Sequence, residues 1–308
     1  MNELLNHLGG IAFFATTLRV TTPILLAALG ALISDRAGVI NIGVEGTMLC
    51  GAFAGVAVSA ATGSAALGLL AAILAGMAVG ALLAFAVHVL RADLILSGVA
   101  INLAAASGTV LLLYALTGDK GMSGSLPSKV LPNVHLAFLD HVPVLGALLA
   151  DQHVLTWAAL LAVPAVGVLL MRTPFGLRLR AVGENPEAAA IAGVRVARVQ
   201  LQALLLSGAL AATGGAFLSM GYVTWFANGM SAGRGYIAIA AEVMGRGGAL
   251  GTCIASLVLG AAESLSISLQ GLGLPSELME TVPYVVPVVA LVLHAIRPIH
   301  GMRRLRRA

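Results

Sequence analysis

Apolar residues fill this chain in long runs broken by short polar stretches, and the runs set the predicted elements. A membrane-crossing helix needs about 20 apolar residues. Eight runs meet that length: 11–33, 44–61, 65–90, 94–117, 153–171, 200–220, 249–269 and 279–297. In the first, Arg19 is expected to snorkel to the outer interface, with a short interfacial helix before residue 18, and Pro23 marks a bend. Residues 118–152 are mixed, with Pro127, Pro132 and Pro143, and are expected to lie over the membrane with an interfacial helix at 144–150. After the sixth run the pattern breaks. Residues 221–235 are too polar and Gly-rich to continue a helix, and 236–245 are apolar but far too short to cross. They predict a half-helix buried in protein, because irregular backbone at membrane depth must be shielded from lipid. The pattern therefore describes an all-α polytopic membrane protein, one domain over 1–308, with about eight full spans and one broken half-helix.

Two polar interruptions carry the candidate chemistry. The segment 172–199 holds Arg172, Arg178, Arg180, Arg195 and Arg198, with Glu184 and Glu187 between them. Within it Asn185 is a good N-cap, Pro186 suits the first helical position, and Glu187 complements the N-terminal dipole. Ala188 to Ala192 carry the helix on, and Gly193 is placed to end it in a left-handed cap. The result is about two turns with a small-residue surface, Ala188 and Ala189 as knobs and Ile191 as an apolar anchor. Such a helix suits a groove on another protein; an ordinary loop that caps well has the same spacing.

The second interruption is Ser34–Gly46, where three glycines, Asn41 and Glu45 divide what hydropathy alone would join. Helical spacing would put Asn41 and Glu45 on one face. An intramembrane carboxylate is expensive and faces a cavity or a partner. One reading is a broken helix lining a translocation path. The other has Asp35 and Glu45 pairing with Arg36 or Arg246 to hold the fold. Glu242, Glu263, Asn102 and Ser97 are the further polar groups at membrane depth, read either as interhelical glue or as part of the path. Gly51 with Gly55, and Gly76 with Gly80, mark close helix packing. Tyr222, Trp225 and Phe226 read as an interfacial aromatic belt, with a docking rim as the alternative.

Composition narrows the class. Charged residues are 10% and hydrophobic residues 59% of 308, against about 25% charged in a soluble domain. Net charge is +4, but the basic residues sit in short loops between apolar runs, so they report topology rather than nucleic acid. With the half-helix counted as a crossing, one side holds Arg36, Arg91, the five central arginines, Arg246, Arg297 and the four C-terminal arginines. The other holds Lys120, Lys129, Arg234 and Arg19. The basic side is cytoplasmic by the positive-inside rule, giving N-terminus out and C-terminus in. Cys50, Cys253 and seven scattered histidines show no metal-ligand spacing. Met1-Asn2-Glu3 lacks the basic start of a cleaved signal peptide. No Walker A pattern and no GxSxG occur, so any ATP hydrolysis would belong to another chain.

Three stretches carry a resemblance. Pro23–Gly46 resembles the N-terminal signature of bacterial ABC importer permeases of the branched-chain amino acid/ribose superfamily, nucleoside and simple-sugar subgroup. Thr173–Ala189 is similar to that family's cytoplasmic coupling segment, and Gly235–Arg246 to its third signature. Asn41–Gly46 is closer to the nucleoside type than to the amino-acid type, where Asn-Phe-Ala-His-Gly would stand. Glu242 departs from the apolar residue expected there. The resemblance implies a permease subunit in the bacterial plasma membrane, without cofactor or metal of its own, working by alternating access. Its implied partners are an ATP-binding subunit holding ATP and Mg, a second and commonly different permease chain, and an extracytoplasmic binding protein. It implies coupling through Gly183, Glu184, Asn185, Pro186, Glu187, Ala188, Ala189 and Ile191. The rival classes are a branched-chain amino acid permease, an ion-driven secondary transporter and an integral-membrane enzyme.

Overall fold

The computed structural model describes residues 11–135 and 151–270, with Val285, Val286 and Val289 beyond them. Helices form where the apolar runs lie: α1 (Ile11–Asp35), α2 (Val44–Thr62), α3 (Ala65–His88), α4 (Leu94–Thr117) and α5 (Val154–Arg172). Two short helices follow, α6 (Pro174–Glu184) and α7 (Pro186–Ile191), then α8 (Val196–Phe217), α9 (Arg234–Met244) and α10 (Ala249–Gln270). Among the described residues seven helices are long and apolar enough to cross a membrane: α1 to α5, α8 and α10. The expected eighth span, apart from its three helical valines, and the expected helix at 144–150 lie outside the described residues.

Caps set the boundaries. Gly63 takes a left-handed conformation after α2, and Ser64 then accepts from Leu67 N–H to open α3, so the two helices are joined by a two-residue turn. Asp93 accepts from Leu96 N–H at the start of α4. His153 opens α5 by accepting from Leu155 N–H at Nδ1, with its ring edge-on to Phe217. Burial holds this imidazole below its ordinary range, and Arg19 pushes the same way against a bond to the Leu131 backbone. The neutral ring is the form that can accept at Nδ1.

The bundle is layered. In α1, 83% of the spanning window is buried, against 28% in α3 and in α4. Leu70, Leu74 and Leu82 of α3, and Leu96, Leu103 and Leu111 of α4, turn outward as a lipid-facing surface requires. The inner helix α8 packs on α1, α2 and α3. Small residues permit it. A methyl group at Gly76 would overlap the Gly208 carbonyl oxygen, and one at Gly51 would overlap Ala212. Both glycine pairs noted in the sequence thus act in packing, as small residues do where lipid offers no hydrophobic drive to association.

Three expectations change. Among the described residues α1 runs unbroken from Ile11 through Pro23, so residues 11–17 belong to the span and not to a separate interfacial helix. The mixed segment contributes a small antiparallel sheet, β1 (Asn133–His135) against β2 (Asp151–His153), with Asn133 opposite His153. Phe226 belongs to the core and not to a belt: it is fully buried, edge-on to Phe53 at 5.4 Å, while Tyr222 and Trp225 remain partly exposed. Segment 221–230 is pinned by the loop after α4, with Ser123 N–H donating to the Phe226 carbonyl at 2.8 Å and Phe226 N–H donating back to Ser123 Oγ at 2.9 Å.

Candidate functional site: a clamped half-helix and an outward short helix

The short apolar segment after α8 is a half-helix, α9, of 11 residues, about 16 Å long at 1.5 Å per residue. It begins at Gly233 in a left-handed conformation and has no side-chain cap of its own. The orphan N–H groups of its first turn need an acceptor, and lipid supplies none. Glu45 supplies it from the first turn of α2. Its Oε1 accepts from Ser231 Oγ at 2.5 Å and Gly233 N–H at 2.9 Å, and its Oε2 from Gly235 N–H at 2.7 Å. Gly235 has to lack a side chain, because a Cβ there would overlap the Glu45 backbone.

The other end of α9 is held from the same stretch of sequence. Arg36 Nε donates to the Gly247 carbonyl at 2.8 Å, and its Nη2 donates to the carbonyls of Gly247 and Arg246. A carboxylate at the N-terminus and a guanidinium just past the C-terminus both complement the helix dipole. Glu242, buried at 3% exposure, lies in hydrogen-bonding reach of Asp35 and near Arg36. Residues 36–45 therefore form a clamp for the half-helix, Arg36 at one end and Glu45 at the other. The sequence alternative that paired Glu45 with Arg36 or Arg246 is replaced by bonds to main-chain ends.

Asn102 of α4 closes the junction. Its Oδ1 accepts from Gly46 N–H at 2.8 Å, while Nδ2 donates to the Ile42 carbonyl at 2.9 Å and to the Tyr236 hydroxyl at 3.2 Å. Asn41 precedes α2, so it does not share a helical face with Glu45 as the spacing suggested. It is buried, its Nδ2 donating to Ser207 Oγ of α8 and its N–H to Ser34 Oγ. Ser97 donates to the Asp93 carbonyl within its own first turn, away from α9. Glu263 pairs with Arg234 at the start of α9. The pathway candidates thus split: Glu45 and Asn102 meet at the N-terminal end of α9, Glu242 lies at its C-terminal end near Asp35 and Arg36, Asn41 is held by Ser207 and Ser34, and Ser97 stands apart. Sequence reasoning missed Ser207, Ser231, Tyr236 and the roles of Arg36. The available signal was the Gly233-Arg234-Gly235 start of a helix with no acceptor of its own.

At the basic end, Thr173 caps α6 by accepting from Gly176 N–H at 3.0 Å, with Pro174 at the first position. This helix was not foreseen, although Thr173-Pro174 repeats the cap logic of Asn185-Pro186. α6 buries Gly176, Leu179 and Val182 on one side. Asn185 ends it and opens α7, its Oδ1 accepting from Ala188 N–H at 2.9 Å. Gly193, at φ +85°, follows the last turn, and Val194 N–H donates to the Ala189 carbonyl. Ala189 turns inward, 5% exposed in the chain's own core, so it is not a knob for a partner. Glu184, Pro186, Glu187, Ala188 and Ala190 are exposed, and Ile191 is 90% exposed. Gly183 is pressed against the clamp: a methyl there would overlap the Arg36 carbonyl oxygen.

Helices of spanning length around a half-helix held at both ends by other parts of the chain define a multi-pass membrane protein of transporter construction. The chain belongs to the family described as branched-chain amino acid transport system / permease component, whose model it matches over residues 13–291. It is a translocation component. It is 35% identical to the guanosine ABC transporter permease protein NupQ of Bacillus subtilis, over 89% of each chain. It is 34% identical to the nucleoside ABC transporter permease protein NupC of Lactococcus lactis, over 91% of this chain and 90% of the relative. It is 37% identical to the putative glucose ABC transporter permease protein TsgC13 of Haloferax volcanii, over 84% of this chain and 78% of the relative. No solved structure matches the chain significantly.

Proposed function

We propose that this permease is one of two translocation chains of an ATP-driven importer for nucleosides, with simple sugars as the neighbouring substrate class. The printed names of its relatives, guanosine and nucleoside permeases at 34–35% identity and a putative glucose permease at 37%, support nucleosides and simple sugars over amino acids. In this reading the N-terminus lies outside and the C-terminus inside a bacterial plasma membrane, and α7 faces the cytoplasm. ATP and Mg bind an ATP-binding subunit, an extracytoplasmic protein delivers substrate, and the second permease is a different chain. Permeases named as guanosine transporters occur twice in Bacillus subtilis, which supports such a pair.

The observation that carries the coupling role is Ile191. It is 90% exposed on a helix that is capped at both ends and anchored through Ala189. Held rigid with an apolar side chain outward, this helix is built to enter a groove. Glu187, Ala188 and Ala190 form the rest of the exposed surface. The test is reconstitution of the whole importer in proteoliposomes with its binding protein. Labelled guanosine or adenosine should enter with ATP, be stopped by vanadate and be competed by nucleosides. Uptake of leucine but not nucleosides would overturn the substrate assignment, and uptake driven by an ion gradient without ATP would overturn the class.

A further inference from the structure

Segment 36–43 touches more than the half-helix. On its other side it meets α6. Gly38, at φ +73°, lies against the backbone of Gly183, and the Arg36 carbonyl oxygen fills the space a side chain at Gly183 would need. Gln200 Nε2 of α8 donates to the Ala37 carbonyl at 3.1 Å. Leu179 and Val182 of α6 share a buried cluster with Leu32, Ile33, Ala37 and Val39. The same residue, Arg36, therefore offers its main chain to α6 and its side chain to the end of α9.

We propose that Arg36 is a positioning residue that joins α6 and α9 into one moving body. This rests on the coupling reading of α7, and says where a displacement of α6–α7 goes inside the chain. A push on α7 shifts α6, α6 carries the Gly183–Gly38 contact, and the Arg36 guanidinium drags the C-terminal end of the half-helix. Glu45 at the other end keeps α9 from pivoting, so it translates with the clamp. Arginine is required because its planar fork reaches two carbonyls from one side chain, whereas a lysine ammonium is a point donor.

The experiment uses the complete importer, with Cys50→Ser and Cys253→Ser, and spin labels at Leu177→Cys on α6 and Val243→Cys on α9, two exposed positions. A second pair links Val243→Cys to Leu111→Cys on α4. Between the nucleotide-free and the ATP–vanadate-trapped states, the 177–243 distance should stay fixed while the 243–111 distance shifts. Arg36→Gln should broaden the 177–243 distance. It should also cut stimulation of ATP hydrolysis by the loaded binding protein about fivefold or more, the scale of ordinary allosteric coupling, while the ATP-binding subunit still co-purifies. Arg36→Lys should recover part of both. Gly183→Ala, which wedges α6 off the clamp without touching α9, should broaden the same distance, and it serves if Arg36→Gln does not fold. A wild-type 177–243 distance that changes with ATP would overturn the proposal. So would Arg36→Gln or Gly183→Ala with a sharp, unchanged distance and full stimulation. The coupling reading fails separately, by retention of the ATP-binding subunit in Ile191→Asp. That result leaves the 177–243 distance to be read on its own.

Discussion

The two polar interruptions of this apolar chain solve opposite problems. Around residues 34–46, polar groups are turned into the chain: Asn41 and Asn102 are buried, Glu45 and Arg36 are half-buried, and all four end on named partners. Around 172–193, most polar groups face outward and apolar side chains are exposed beside them, Ile191 most of all at 90%. In a bilayer an unmet polar atom is costly, so the first region is closed by necessity. In water an isolated apolar side chain is cheap, and only its rigid presentation on a capped, core-anchored helix makes it informative. The acid is held inside the chain, and the isoleucine is left free for the proposed partner.

The comparison can be broken first at its buried side. Glu45→Ala strands the Ser231 hydroxyl and the Gly233 and Gly235 N–H groups, and should cost about 3 kcal/mol. Lower thermal stability and faster proteolysis or exchange across 231–245 would show it. Asn102→Leu keeps the volume but removes three bonds joining α4, α2 and α9, and should cost about 2 kcal/mol in detergent melts. On the exposed side, Asn185→Ala loses the cap of α7 and should cost about 1 kcal/mol, seen as faster exchange confined to 186–192. Ile191→Asp should change stability by less than about 0.5 kcal/mol, while releasing the ATP-binding subunit.

Much of this was legible in advance. Hydropathy placed the spans because backbone groups in lipid must be satisfied within helices, and the short run at 236–245 could not be one. The Asn185-Pro186-Glu187 start of α7 was readable because capping is local. What stayed hidden was long-range. That Glu45 meets residues nearly 190 positions away, and that Asn41 belongs to a turn rather than to α2, depends on where the chain breaks helix, which periodicity alone misplaces. Ala189 was misread outward because a run of alanines does not announce its buried side; only the packing of α7 on the core assigns it.

If the clamp holds the fold and Ile191 holds a partner, the two sites must fail differently. The most direct test purifies the assembled importer carrying Ile191→Asp or Glu45→Ala and records, on one preparation, the permease melting temperature and the amount of ATP-binding subunit retained. Ile191→Asp should melt like the wild type and lose the subunit, while Glu45→Ala should melt several degrees lower. An Ile191→Asp complex that keeps its subunit, or a Glu45→Ala chain as stable as the wild type, would contradict the account.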